Sequence, residues 1–488
     1  MNANMIPTRQ TKNERWRALV AFAPAAWALA VFACEATSEP AFTFIKYPSL
    51  STTGRKGAAG FAGRTVNSRS VFGRRTLRET EGRRNKRRAW GRFDESRVTM
   101  ASGSLGEYSS IRGLVFPTDM EAGWFDGATV GSPRVHRYLH DEGSRWVMWY
   151  HGQDTDWHKE AEGVMDVGTG SRIGRAESSD GFTWRRTPGQ MSLASVFDKN
   201  TDQWWGFDTA HVGLGDVNLG ASSRVVTDSS VYFMYYFGGN YEETDVQAEF
   251  GLRNPTASGD CNAPPQGVRL RIGVALSQDG VNWSRVEGEH PTGACLDVGG
   301  EGEWDRLFVG WPVVINHKKK EFRMYYHSLD PDSKTFRVAG MATSQDGLGW
   351  KKKGPVFDGG PDGAFDEGGV TRRRVVSLNG VYHMIYEGVS KEGVHALGLA
   401  TSSDGIKWTR NGNEPVFERS APGSGAWDAG GVSNPDLVEM ENGEWYLYYT
   451  GQAEKSLGGQ QSRTAARSAV GVAVATGNDF TTWTRIET

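Results

Sequence analysis

Hydrophobic and aromatic positions in this chain come in short dense runs with no helical period. The densest are WVMWYHG, VYFMYYFGG, FRMYYHS, VYHMIYEG and WYLYYTG, each closing on a small residue or a tight turn. Branched and aromatic residues at that density predict strands. Each run is followed by a small-residue stretch turning through Asp-Gly onto a tryptophan: SSDGFTW to Trp184, SQDGVNW to Trp283, SQDGLGW to Trp350, SSDGIKW to Trp408, and a worn GNDFTTW to Trp483. Each is also preceded by an aromatic–Asp pair four residues ahead of a valine. The pairs end at Asp126, Asp208, Asp305, Asp366 and Asp428, and the valines are Val130, Val212, Val309, Val370 and Val432. A unit of about 60 residues said five times, with variable insertions, predicts a closed array of like blades. Asn379-Gly380 and Asn442-Gly443 predict two-residue hairpin turns between first and second strands, because both residue types tolerate positive φ. Asp180-Gly181, Asp279-Gly280, Asp346-Gly347 and Asp404-Gly405 predict the same between third and fourth strands. The expectation is an all-β, five-bladed β-propeller over residues 101–488, with four antiparallel strands per blade and no useful helix. Residues 108–117 predict one extra strand, lying against a blade edge that would otherwise stay unpaired.

The insertions locate the functional rim. In an up-and-down blade the connections between second and third strands share a rim with those between blades. The long insertions 153–171, 239–267 and 452–468 are all of that kind, whereas the Asn-Gly and Asp-Gly turns leave the other rim plain. Long loops on a rigid scaffold are where function concentrates. The expected site is a funnel under them, walled by the first strand of each blade.

Composition changes the picture mainly at the N-terminus. Lys12, Arg15 and Arg17 precede an apolar run over 18–33, which Pro24 interrupts and which is short for a membrane span. Residues 46–92 are rich in Arg, Ser, Gly and Thr, with Glu79 and Glu81 the sole acidic side chains before Asp94. Signal-like then transit-like order resembles the bipartite presequence of algae with secondary plastids, so 1–100 reads as a targeting segment addressed to a plastid. An ordinary secretory signal with a basic linker, hence a secreted protein, is the alternative; a lipid anchor at Cys34 fits poorly beside Phe32. With that basic segment removed, the formal net charge of -3 for the whole chain leaves a distinctly acidic domain. Such a surface argues against nucleic acid, and no membrane association is expected after processing. Cys261 and Cys295 share one repeat; they could bridge, but nothing forces it.

The recurring proline-bearing first strand, the YYxG strand and the SxDGxxW turn together resemble the five-bladed glycosidases: arabinanases and β-xylosidases, with invertases and levansucrases. The likeness spans all five blades. It implies carboxylates at the bottom of a funnel that cleave or transfer a glycosyl group, one protonated on the leaving oxygen and one ionised. The family's catalytic positions are not reproduced. Where arabinanase-like members carry the blade-1 base this chain has Ser132, and the matching positions elsewhere are Leu214, Trp311, Arg372 and Asn434. The blade-3 Glu-Gly-Pro and the invertase Asn-Asp-Pro are absent too.

Other carboxylates are therefore candidates. Strand alternation sets position 134 on the same wall as 132; that offset yields Arg134, Asp216, Val313, Arg374 and Asp436. Asp216 and Asp436 are expected to look across the funnel from non-adjacent blades, and Asp216 is the first choice for a catalytic carboxylate. The competing reading is a wall salt bridge to Arg134 or Arg374. Asp126 and Asp208 are further catalytic candidates by analogy with the family's first two blades, although recurrence in every blade favours a structural acceptor. Glu387, a further catalytic candidate, and His211 lie on the same rim. His151, Asp154, Asp156 and His158 cluster in blade 1, with a spacing that matches no metal site, and no cofactor is implied. Arg372-Arg373-Arg374 suits a carboxylate or phosphate on the ligand. Ser132, Arg134, His151, Asp154, His211, Trp311, Arg372 and Asn434 are the expected substrate-binding set. The function expected is that of a glycoside hydrolase or transglycosidase acting on a carbohydrate. The alternative is a degenerate propeller that binds a glycan, an anionic metabolite or a protein partner.

Overall fold

In the computed structural model the described residues are 110–119, 123–141, 143–155, 171–220, 231–250, 265–318, 321–330, 337–454, 468–477 and 479–487. The expected presequence lies outside them, as do Cys261, Asp156 and His158. Five antiparallel sheets follow one another along the chain. Blade 1 is Thr129–His140, Gly143–Gln153, Arg172–Ser178 and Arg185–Thr187; blade 2 is His211–Leu219, Tyr232–Gly239, Arg271–Ser277 and Ser284–Val286. Blade 3 is Gly310–Lys318, Glu321–Leu329, Arg337–Ser344 and Lys351–Phe357; blade 4 is Val370–Leu378, Val381–Val389, His395–Ser402 and Thr409–Arg410. Blade 5 is Gly431–Glu439, Glu444–Gln452, Ser468–Thr476 and Thr484–Arg485. Helix is confined to a turn at Ser192–Ala194 and to Val246–Phe250 among the described residues.

Sequence order within each sheet is spatial order, so the first strand of every blade is innermost. The extra N-terminal strand exists, shorter than expected, at Leu114–Phe116. It pairs with the third strand of blade 5 through Leu114↔Gly471 and Phe116↔Val470. Trp427 Nε1 donates to the Arg112 carbonyl at 3.0 Å beside it, so the front of the described chain fastens its last blade. Outermost strands are two or three residues long except in blade 3, where Lys351–Phe357 exposes an edge. That edge carries Lys351, Lys353 and Pro355, residue types that discourage pairing with another chain.

The repeated Asp has a structural explanation that recurs five times. Its Oδ2 accepts the hydroxyl of the second-strand tyrosine and faces a cation from the outermost strand. Tyr150 and Arg186 hold Asp126 at 2.9 and 2.7 Å, and Tyr236 and Arg285 hold Asp208 at 3.0 and 2.7 Å. Asp305, Asp366 and Asp428 meet Tyr326 with Lys352, Tyr386 with Arg410, and Tyr449 with Arg485. The aromatic residue before each Asp lies against the same tyrosine, and in blades 1, 2, 4 and 5 a phenylalanine stacks under the arginine, as Phe357 does 4.3 Å from Arg410. Close contact requires glycine on the third strand: a Cβ at Gly398 would stand 2.4 Å from the Phe365 ring and 2.6 Å from Tyr386.

Two expectations are corrected here. The Asp-Gly turns are not two-residue hairpins, since only the glycine has positive φ. The serine two residues before the Asp and the Asp itself cap the turn: Ser402 Oγ accepts the Gly405 amide and Asp404 Oδ1 accepts those of Ile406 and Lys407. Those amides hold the Asp404 carboxyl down at about 2. Asn379-Gly380 does have positive φ at both residues, 52 and 81°, as a two-residue hairpin turn needs. The second correction concerns the blade-2 insertion, which is partly core: Val246 and Phe250 pack in one cluster with Phe237, Leu270, Phe308 and Trp311. Removing 239–267 would therefore open the core as well as the rim.

Candidate functional site

Every innermost strand carries a β-bulge near its start. Register slips between Gly131 and Arg134, Leu214 and Asp216, Gly310 and Val313, Val370 and Arg373, and Ser433 and Asp436. Ser132, Trp311 and Asn434, each followed by proline, have φ of 50, 49 and 51°. Left-handed backbone at a non-glycine residue costs roughly 1–3 kcal/mol and concentrates at functional sites. A bulge re-aims side chains, so the strict alternation that set positions 132 and 134 on one wall does not hold.

Two rings of side chains result. The first is the bulge ring: Ser132, Leu214, Trp311, Arg372 and Asn434. The second is contributed by the residue that follows the clasp tyrosine in each second strand: His151, Phe237, His327, Glu387 and Thr450. All ten are buried, the most exposed being Ser132 at 8%. Adjacent blades are joined between the rings. Thr450 Oγ1 accepts the Ser132 amide at 2.9 Å, and Glu387 Oε2 accepts the Asn434 amide at 3.2 Å. Of the second ring the sequence singled out His151 and Glu387, while Phe237, His327 and Thr450 were missed because their phrase was read only as a strand. Its signal is the variable letter after the one tyrosine that all five phrases share.

Glu387 is the one carboxylate in either ring. Its Oε1 receives Arg372 Nη1 at 3.0 Å and lies 2.6 Å from His395 Nδ1. Burial alone would raise its pKa, but the Arg372 charge, His395 and the Asn434 amide bring it to about 2. Arg372 also lies over the Trp311 ring at 4.9 Å, and His327 stacks on Trp311 at 4.6 Å. Burial and the nearby arginines push His327 well below its ordinary value. Burial, with Arg372 and His211, takes His151 down to about 3. His211 is lowered mainly by burial, and its Nε2 meets the Gly267 carbonyl at 2.9 Å. These three histidines are neutral at ordinary pH.

Asp216 and Asp436 do not look across an open space. Both bind one guanidinium, Arg374 Nη1 to Asp216 at 2.9 Å and Arg374 Nε to Asp436 at 3.0 Å. Asp216 also accepts the amides of Val217 at 3.0 Å and Val314 at 2.9 Å, and Asp436 accepts that of Val135 at 2.7 Å. Arg134 Nε donates to the Gly215 carbonyl at 2.6 Å and lies 3.8 Å from Asp216. The salt-bridge geometry, not the open funnel wall, is what the molecule has: a buried plug joining all five innermost strands. Asp126 and Asp208 sit in the clasps described above. Asp154 pairs with Arg172 at 3.2 Å. Among the described residues no three His, Cys, Asp or Glu could together hold a metal ion. A cleft of about 820 Å³ lies elsewhere, lined by Arg323, Lys351, Lys353 and Ile406 on the plain side of blades 3 and 4.

No family model matches the chain, and no curated protein does. Solved structures do. BT0996, solved as a complex with RGII, is 17% identical with a TM-score of 0.51, over 77% of this chain and 95% of its own. A second protein, described only as a glycoside hydrolase, is also 17% identical with a TM-score of 0.51, over 78% and 96%. A third, a glycosyl hydrolase from Bacteroides ovatus, is 18% identical with a TM-score of 0.48, over 75% and 92%. The chain has the five-bladed glycosidase fold. The expected likeness is thus met in architecture; at such identities it is a likeness of fold.

Proposed function

We propose that the chain is a glycoside-hydrolase-like propeller that takes a carbohydrate into the funnel above its charged plug, with Glu387 as the reactive carboxylate. The observation that carries this is the placement of Glu387. It is the one carboxylate in two rings otherwise built from His, Arg, Ser, Thr, Asn and apolar side chains, and it is held ionised. Glycosyl chemistry needs an ionised carboxylate as base or nucleophile. Around it, Ser132 and Asn434 add polar side chains from blades 1 and 5. Asp216 and Asp436 belong to the plug in this reading, since both close on the one Arg374 guanidinium that ties the innermost strands together. The complex of BT0996 with RGII supports a carbohydrate as ligand class for the fold.

The test pairs hydrolysis of a panel of aryl glycosides with thermal melting. Glu387→Gln keeps shape and removes charge. The expected result is a rate lower by about two to four orders of magnitude in a variant that still melts cooperatively. Undiminished hydrolysis by Glu387→Gln overturns the assignment. Tight glycan binding by a wild type that cleaves none of the panel converts the reading to a binding propeller.

A further inference from the structure

The repeat supplies its own control for charge. The first residue of the third strand, at the funnel rim, is an arginine in blades 1, 2 and 3: Arg172, Arg271 and Arg337. In blade 1 it is neutralised by Asp198 at 3.1 Å and Asp154 at 3.2 Å. In blade 2 Asp297 at 2.7 Å and Glu242 at 3.2 Å do the same. In blade 3 Arg337 has the Gly368 carbonyl at 3.2 Å, and no described carboxylate forms an ion pair with it. Arg373, on the innermost strand of blade 4 and 1% exposed, acts with Arg337 on the same His327. One Arg373 nitrogen donates to the Thr371 carbonyl, while Nη1 has no partner among the described residues. Glu387 is the acid that both arginines feel, and it is already bound to Arg372. A buried cation without a counter-charge is costly to hold. Burial lowers the pKa of Arg337 to about 10 and of Arg373 to about 9, with repulsion from Arg372 adding to both.

We infer that the missing counter-charge comes from the ligand: Arg373 and Arg337, between blades 3 and 4, receive an oxyanion carried by the sugar. This rests on the funnel reading and narrows it to an anionic glycan. Guanidinium groups are suited to carboxylate or phosphate oxygens because their donors lie in one plane. The alternative source of the same chemistry is free phosphate, and the experiment separates the two.

Binding is measured by calorimetry at fixed ionic strength with digalacturonate, with neutral galactobiose and with inorganic phosphate, for wild type, Arg373→Met and Arg337→Gln. The expected result is digalacturonate bound about tenfold or more tightly over galactobiose, with the preference lost in either variant. Arg373→Met should also melt at or above the wild-type temperature without ligand, because it removes an unneutralised charge; an arginine with a purely structural task would melt lower. If Arg373→Met does not fold, the half-buried Arg337 carries the test. Phosphate that competes with digalacturonate supports the oxyanion site and assigns it to a free anion. Equal affinity for charged and neutral disaccharide overturns the anion assignment and leaves the funnel reading standing. No binding by any of the three overturns both.

Discussion

Asparagine at position 216 would keep the outline of the aspartate and delete its charge, leaving Arg374 half-neutralised in the plug. Breaking one partner of a buried charge network typically costs about 3–5 kcal/mol, so Asp216→Asn is expected to lower urea stability by that order. A catalytic carboxylate would behave in the opposite way, losing rate at nearly constant stability. The sequence displayed Asp216 and Asp436 clearly, because no other blade has an acid there. It could not display the bulge, which depends on Ser132, Trp311 and Asn434 adopting a backbone that none of them prefers. Period-two reasoning therefore read the right residues onto the wrong surface. Arg374 gave more warning, since an arginine on an innermost strand must find a carboxylate, and two were available at the same level.

Each blade is held together by its clasp, and this unit was half legible. The recurrence of an aromatic–Asp pair marked a structural acceptor. Its partners were hidden, one inside the YYxG phrase and one two residues past the tryptophan of SxDGxxW. Tyr386→Phe removes the hydroxyl that meets Asp366 at 3.0 Å and leaves a buried carboxylate oxygen short of a donor. A loss of about 1–3 kcal/mol is expected, read as a lower melting midpoint. Gly398→Ala should be worse, because its Cβ would overlap two rings that cannot both retreat. Blade 3 is the exception that shows why arginine is used elsewhere. It has Lys352 and Leu296 where the others have arginine and phenylalanine, and an ammonium does not stack on a ring as a planar guanidinium does.

For the molecule as a whole, the buried ionisable groups set a direction for acid sensitivity. His151 titrates at about 3 when folded against 6.5 in its ordinary state, and His211 and His327 are depressed too. Protons therefore bind the unfolded chain first, and the stability these groups contribute is whole above about pH 6.5 and is lost as pH falls. Glu387, lowered from 4.5 to about 2, adds a second loss between those values. Melting temperature should fall from pH 7 to 5 and fall again below 4.5; His151→Gln should flatten the first step. The ring architecture itself was the most legible feature, because repetition needs no knowledge of contacts. Its fastening was legible in part: a strand against an unpaired blade edge was expected, but not one as short as Leu114–Phe116. That fastening has a consequence in time. Leu114 is made before any blade, yet its partner Gly471 follows four complete ones. A growing polypeptide can stack blades 1 to 4 in order but holds an unpaired strand until blade 5 emerges. Loop-closure entropy grows slowly with length, about 0.6 kcal/mol per doubling, so the delay is a matter of sequence order more than of distance. Whatever protects nascent chains must shelter Phe116 until blade 5 is made, and a chain stopped short of 468 would keep its first strand unpaired.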